Sequence, residues 1–210
     1  MIVIVSVDHG ECEKILCETL SQWLRIGIFN VAREGGSETI SLREAGDFLR
    51  KGVFKDLNTF QRYYRFEQKG RFNRSISMDE ITVFVIMDVD GDRRSMKSFR
   101  SKDAFKGSAF YDRIIPILNN PSMDAVFRDA GVDIPEGGKP EAYRRALNEI
   151  GDPEELCRLL DGRDSDIPMM IREIEKHCPD FQRSFSVTHI TIASVSKQSS
   201  FQLQFNEFHI

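Results

Sequence analysis

A chain of 210 residues with 40% hydrophobic and 30% charged side chains can bury a core of its own, and its composition argues against wholesale disorder. Its formal charge of −4 gives no global attraction for nucleic acid, so phosphate contacts would need a local basic surplus. The cysteines Cys12, Cys17, Cys157 and Cys178 form no CxxC pair, which points away from a zinc knuckle or a disulfide framework and fits a reducing cytoplasm.

In chain order, the apolar run 2–7 predicts a strand covered on both faces, opening into a loop at Asp8-His9-Gly10. It has no basic leader and is too short to span a membrane, so neither a signal peptide nor a membrane segment is expected. A helix is predicted over 11–24, with Ile15, Leu16 and Leu20 inward and Glu11 and Glu13 in its first turn. A strand at 28–31 and a turn at 33–37 follow. Ser41 and Glu44 match a capping box that predicts a helix over 42–50, with a second helical piece over 57–66. Arg62, Tyr63, Tyr64, Arg65, Lys69, Arg71 and Arg74 interleave aromatic and basic groups in a way that suits nucleic acid, although half-buried packing is the commoner fate of helical tyrosines.

The most apolar segment, 81–87 (ITVFVIM), predicts a strand that ends in Asp88-Val89-Asp90-Gly91-Asp92. Beyond it Arg93, Arg94, Lys97, Arg100, Lys102 and Lys106 face a single acid, Asp103, a surplus that suits phosphates and equally a solvated face. A helix is expected over 98–105 and a short strand over 113–118, with Pro116 marking an edge or an end. Asn120 as N-cap and Pro121 in the first helical position predict a helix over 121–130. Helices over 140–150, 153–160 and 167–176 and a strand pair over 186–195 and 201–208 complete the chain, with no internal repeat and no evident domain boundary.

Strands separated by helices predict an α/β fold with a largely parallel sheet, whose sites lie at the carboxyl ends of the strands. On extended backbone Asp88 and Asp90 point the same way, and two adjacent carboxylates favour a hard cation, Mg²⁺ or Mn²⁺, suited to phosphoryl transfer. An EF-hand is excluded because Arg93 and Phe99 stand where its loop needs Gly and Glu. Asp88-Val89-Asp90-Gly91 also resembles the first motif of haloacid-dehalogenase-type phosphatases, but Asp92 stands where those enzymes usually carry Thr. A third reading has both aspartates capping the next turn.

The order strand, His9-Gly10-Glu11-Cys12-Glu13, helix, then strand, Asp88-Val89-Asp90, then strand, Asn119-Asn120-Pro121-Ser122-Met123-Asp124, helix, resembles the RloB-like group of Toprim-domain proteins over about residues 1–139. The resemblance implies a single Toprim-like domain over 1–210, with a core of about 1–139 and a helical and hairpin elaboration over about 140–210. It implies a Mg²⁺-dependent nuclease of a phage-defence type, with Asp88 and Asp90 as ligands and Asp124 at the place of a glutamate that joins the acidic site; Asp8 is this chain's further candidate ligand. His9 stands where the group has a glutamate that moves protons. A histidine can move protons at neutral pH but cannot replace a carboxylate's charge beside Mg²⁺, so Glu13, Glu11 or Asp8 is left to supply it. Arg93, Arg94, Lys97 and Lys139 are the expected phosphate contacts. A catalytically degenerate module that binds nucleic acid or protein, a homo-oligomer and a defence-system partner stay open.

Overall fold

The computed structural model describes residues 2–8, 10–31, 40–69, 74–89, 91–135 and 139–178. The chain divides into two compact units, 1–172 and 173–210. Among the described residues the first unit carries strands β1 (Val3–Asp8), β2 (Ile28–Val31), β3 (Ile81–Asp88) and β4 (Ile114–Asn119), all parallel in the order β2-β1-β3-β4. The helices are α1 (Glu11–Leu24), α2 (Ala45–Phe48), α3 (Leu57–Glu67), α4 (Arg93–Arg100), α5 (Met123–Asp129), α6 (Pro140–Ile150), α7 (Pro153–Leu159) and α8 (Ile167–Glu175). The second unit is described over 173–178, the end of α8 and the turn after it. The expected strand pair over 186–195 and 201–208 and the turn over 33–37 lie outside the described residues.

Parallel pairing needs a crossover between partners, and the helices supply it. Every residue of β1 is buried, Ser6 and Asp8 included, as in a strand covered on both faces. Alternation along the strands sorts the two faces. Val3, Val5 and Val7 of β1, Ile81, Val83, Val85 and Met87 of β3, and Ile114 and Leu118 of β4 join Phe54, Phe60, Phe99, Phe105 and Phe110 in one core beneath α2, α3 and α4. Each ring taken fully out of water contributes about 1.5–3 kcal/mol. The opposite face carries Ser6 and Asp8 of β1, Asp88 of β3 and Asn119 of β4, beneath α1 and α5, with α6 packed on α1. The helical stretch that begins at Pro140 therefore belongs to the same unit as the sheet.

The chain leaves β1 toward β2 on one side and returns past it to β3 on the other. The topological switch point, where open parallel sheets bind their ligands, is therefore the gap between the carboxyl ends of β1 and β3. Asp8 pairs in register with Ile86 and Asp88 with Asn119, so Asp88 stands two residues nearer the rim than Asp8. A strand spacing of about 4.8 Å and a rise of about 3.3 Å per residue put their Cα atoms on the order of 8 Å apart.

Several expectations need correction. The helix predicted over 42–50 is a turn at 42–44 followed by α2, because Glu44 does reach back to Ser41 N and Oγ, at 3.2 and 2.8 Å, but the hydroxyl donates to that carboxylate instead of capping. The helix expected over 98–105 begins five residues earlier, since Asp92 caps α4 by accepting the Ser95 N–H at 3.3 Å. Residues 103–105 form a separate 3-10 turn after Lys102, whose φ of 65° breaks the helix. Ser122, not Asn120, caps α5, accepting from Ala125 N at 3.3 Å. The tyrosines of the aromatic and basic stretch are packing groups. Phe29 meets Tyr64 edge-on at 4.9 Å between ring centres and Tyr63 at 5.8 Å.

Candidate functional site

Three carboxylates from separate segments, Glu13, Asp88 and Asp124, lie within electrostatic reach of the Cys12 thiol. Glu13 comes from the first turn of α1, Asp88 from the last position of β3, and Asp124 from the first turn of α5. Glu13 and Asp88 are buried, at 3% and 9% exposure, and Asp124 is half-buried. Cys12 reports their proximity. Its thiol is pushed up to about 12, first by desolvation and then by the charges of Glu13, Asp124, Glu11 and Asp88. A half-buried thiol facing several carboxylates stays protonated and unreactive at neutral pH.

Neutral donors hold Asp88 and Asp124 in place. Asp88 Oδ1 accepts from Asn119 Nδ2 at 3.2 Å and from the Met123 N–H at 3.0 Å, tying the end of β3 to β4 and to the start of α5. Asn119 is wholly buried, and its Oδ1 accepts from Ser165 Oγ at 2.8 Å. Asp124 Oδ1 accepts the phenolic hydrogen of Tyr143, a buried side chain of α6. Burial and then that hydrogen bond to Asp124 raise the Tyr143 phenol well above its ordinary value. The phenol is therefore a donor at any physiological pH.

Asp8 serves a different set of partners. Its carboxyl accepts from Ser6 Oγ at 3.4 Å and Cys17 Sγ at 3.9 Å, and burial pushes it up to about 7. Ser6 in turn bonds Asn30 Oδ1 of β2. Lying two residues below Asp88 in the ladder, Asp8 sits beneath α1 with Cys17, and the ligand role expected for it beside Asp88 gains no support from these contacts.

The β3 ladder ends at Asp88, and the Asp92 N–H closes a turn onto the Val89 carbonyl at 2.8 Å, where Gly91 takes a φ of 81°. Asp90 and His9 themselves lie outside the described residues. Asp92 caps α4 and pairs with Arg43 Nε at 2.5 Å, which with the Ser95 amide lowers its carboxyl to about 2. Arg93, Arg94 and Lys97 are exposed on α4, and Lys139 is exposed at the start of α6, where its carbonyl accepts from Ala142 N at 2.9 Å.

The oxygen-rich donor set of Glu13, Asp88 and Asp124 is of the hard type that Mg²⁺ or Mn²⁺ prefers. Among the described residues, no group of three or more His, Cys, Asp or Glu side chains is disposed to hold a metal ion. No described helix is long and apolar enough to cross a membrane.

Sequence reasoning missed Asn119, Tyr143 and Ser165. Asn119 was visible as the residue after a strand, but its partner lies on another strand. Tyr143 and Ser165 reach the site from segments 24 and 46 residues beyond Asn119, as 143 − 119 and 165 − 119, and have no local signature. No family model, curated protein or solved structure matches this chain.

Proposed function

We propose that this protein is a Mg²⁺- or Mn²⁺-dependent phosphoryl-transfer protein of the Toprim type that cleaves nucleic acid in the cytoplasm. The observation that carries the reading is Asp88 at the carboxyl end of β3, tied through Oδ1 to the start of α5, whose Asp124 acts together with Asp88 and Glu13 on the Cys12 thiol. Clustered buried carboxylates repel one another unless a proton or a cation lies among them, so a fold that assembles them invites a cation. Asp88 and Asp124, with Asp90, would hold the ion; Glu13 or His9 would move the proton; Arg93, Arg94 and Lys97 would attract phosphate. A bound divalent ion supplies Lewis-acid polarisation of a phosphoryl oxygen. Asn119 and Tyr143 orient the carboxylates through neutral hydrogen bonds, as the outer partners of metal ligands do.

The test is cleavage of single- and double-stranded DNA and RNA with Mg²⁺, with Mn²⁺ and with EDTA. Turnover is expected with either cation and is lost in Asp88→Asn. Wild-type protein that leaves every substrate intact with both cations overturns the reading.

A second reading, a binding module without turnover, draws on one observation. Asp88 Oδ1 accepts two hydrogen bonds that join β3, β4 and α5, a structural role that needs no chemistry. It predicts salt-sensitive nucleic-acid binding that persists in EDTA.

A further inference from the structure

α3 spends its inner side on packing and turns one aromatic ring outward. Phe60 is wholly buried, and Tyr64 stacks on it at 6.0 Å between ring centres while meeting Phe29 edge-on at 4.9 Å. Phe66 is 78% exposed. One helical turn before it stands Arg62, exposed, with a long contact from Nη2 to Thr59 Oγ1 at 3.5 Å. Just after it stands Lys69, also exposed, whose amide donates to the Phe66 carbonyl at 3.0 Å. Among the described residues of α3 and the turn after it, Glu67 is the acid beside this stripe, and it lies within electrostatic reach of Tyr63.

A single exposed apolar side chain is ordinary on a protein surface. A flat ring with one cation a helical turn before it on α3 and another in the turn just after the helix is a more specific object. Each base of a single strand offers a π-face to such a ring, and its flanking phosphates suit the cations. A duplex keeps its bases stacked inside and offers the ring nothing. A second copy of the chain would bring Arg62 and Lys69 against their own like charges. An acidic peptide would satisfy the cations but leave the ring unused.

We propose that the outward side of α3, Arg62 and Phe66 with Lys69 in the turn that follows, binds single-stranded nucleic acid by stacking a base on the Phe66 ring between two phosphate contacts. This surface needs no metal and stands independently of the acidic site.

The test is fluorescence anisotropy of the full chain in EDTA with a labelled oligothymidine, and with a labelled duplex for comparison. Phe66→Ala is expected to weaken single-strand binding about fivefold or more, and Phe66→Trp to keep it. Arg62→Ala combined with Lys69→Ala is expected to flatten the slope of log affinity against log salt by about 1.4, at about 0.7 per phosphate contact on a single strand. Duplex binding stays the same in Phe66→Ala. Equal oligothymidine affinity for Phe66→Ala and wild type overturns the proposal, as does a wild-type chain that does not bind the oligonucleotide. Self-association abolished by Phe66→Ala, or poly-glutamate binding indifferent to that change, assigns the surface to protein instead and equally overturns it. Loss of cleavage in Asp88→Asn with oligothymidine binding intact bears on the acidic site alone.

Discussion

Asn119 holds the carboxylate of Asp88 from the neighbouring strand, its Nδ2 donating to Oδ1 at 3.2 Å across a pair that the sheet register places side by side. Both residues lie on the face beneath α1 and α5, and Ser165 completes the amide by donating to its Oδ1 at 2.8 Å. Asn119→Ala removes both bonds in a dry setting, at an expected cost of about 1–3 kcal/mol in urea unfolding. Asn119→Asp instead sets a second carboxylate against Asp88. Its stability deficit should exceed that of the alanine variant at pH 7.5 and shrink toward pH 5 as the pair takes up a proton. A deficit that does not change with pH would show that the two side chains do not touch in solution.

Asp88 itself has two separable roles. Asp88→Asn keeps an acceptor for the Met123 N–H and should stay within about 1 kcal/mol of wild type, whereas Asp88→Ala strands two buried donors and should cost about 2–5 kcal/mol. Both should lose cation-dependent cleavage. Chemical denaturation alongside the cleavage assay separates the roles, and cleavage retained in the folded asparagine variant excludes Asp88 as a ligand.

The buried carboxyl of Asp8 sets a pH dependence of stability. Burial pushes it up to about 7 from an ordinary 3.8, so the folded chain keeps a proton that the unfolded chain releases. The stabilisation is complete below about pH 4, declines as pH rises through the interval between the two values, and is lost above about 7. Asp8→Asn mimics the protonated form. It should remove this slope and gain stability over wild type at pH 8, on the order of 2–4 kcal/mol, in urea titrations run from pH 5 to pH 8. Parallel curves for the two proteins across that range would sink the assignment.

Gly46 in α2 has no room for a methyl group. A Cβ there would lie 2.1 Å from the Ala104 carbonyl oxygen, a backbone atom that also accepts from Arg50 Nη1 at 2.9 Å. Gly46→Ala should therefore cost about 3 kcal/mol or more in thermal or urea unfolding. Gly27→Ala is the control, since a Cβ at that position meets nothing within 4 Å, and it should stay within about 0.5 kcal/mol of wild type. Equal stability of the two variants contradicts the packing of α2 against residues 103–105.

The elements most legible from sequence were those whose signals are local. The apolar run before Asp8, the periodic helix that became α1, and the segment ending at Asp88 each carry their pattern within their own length, and each was predicted within a residue or two. The proline at the start of α6 was equally explicit. One cap was misread where two polar residues competed for a helix start. Asn120 lost to Ser122, and α4 begins earlier than expected, at the Asp92 cap, outcomes of backbone geometry that a one-dimensional pattern does not carry. For the site, Asp88, Asp124 and Glu13 were nameable as acids at element ends. What sets Asp8 two residues below Asp88 is strand register, a property of pairs of segments. Tyr143 and Ser165 reach the site only through the path of the chain after α5.

Along the outer margin of β4, the backbone groups that would face an incoming strand are those of residues 116, 118 and 120. Pro116 has no amide hydrogen to offer, Leu118 gives its N–H to Asp166 Oδ2 at 3.1 Å, and Asn120 gives its own to the Asp164 carbonyl at 2.9 Å. Among the described residues, these three positions therefore offer no free amide hydrogen to an incoming strand, which guards the flank nearest the acidic rim against amyloid-like stacking.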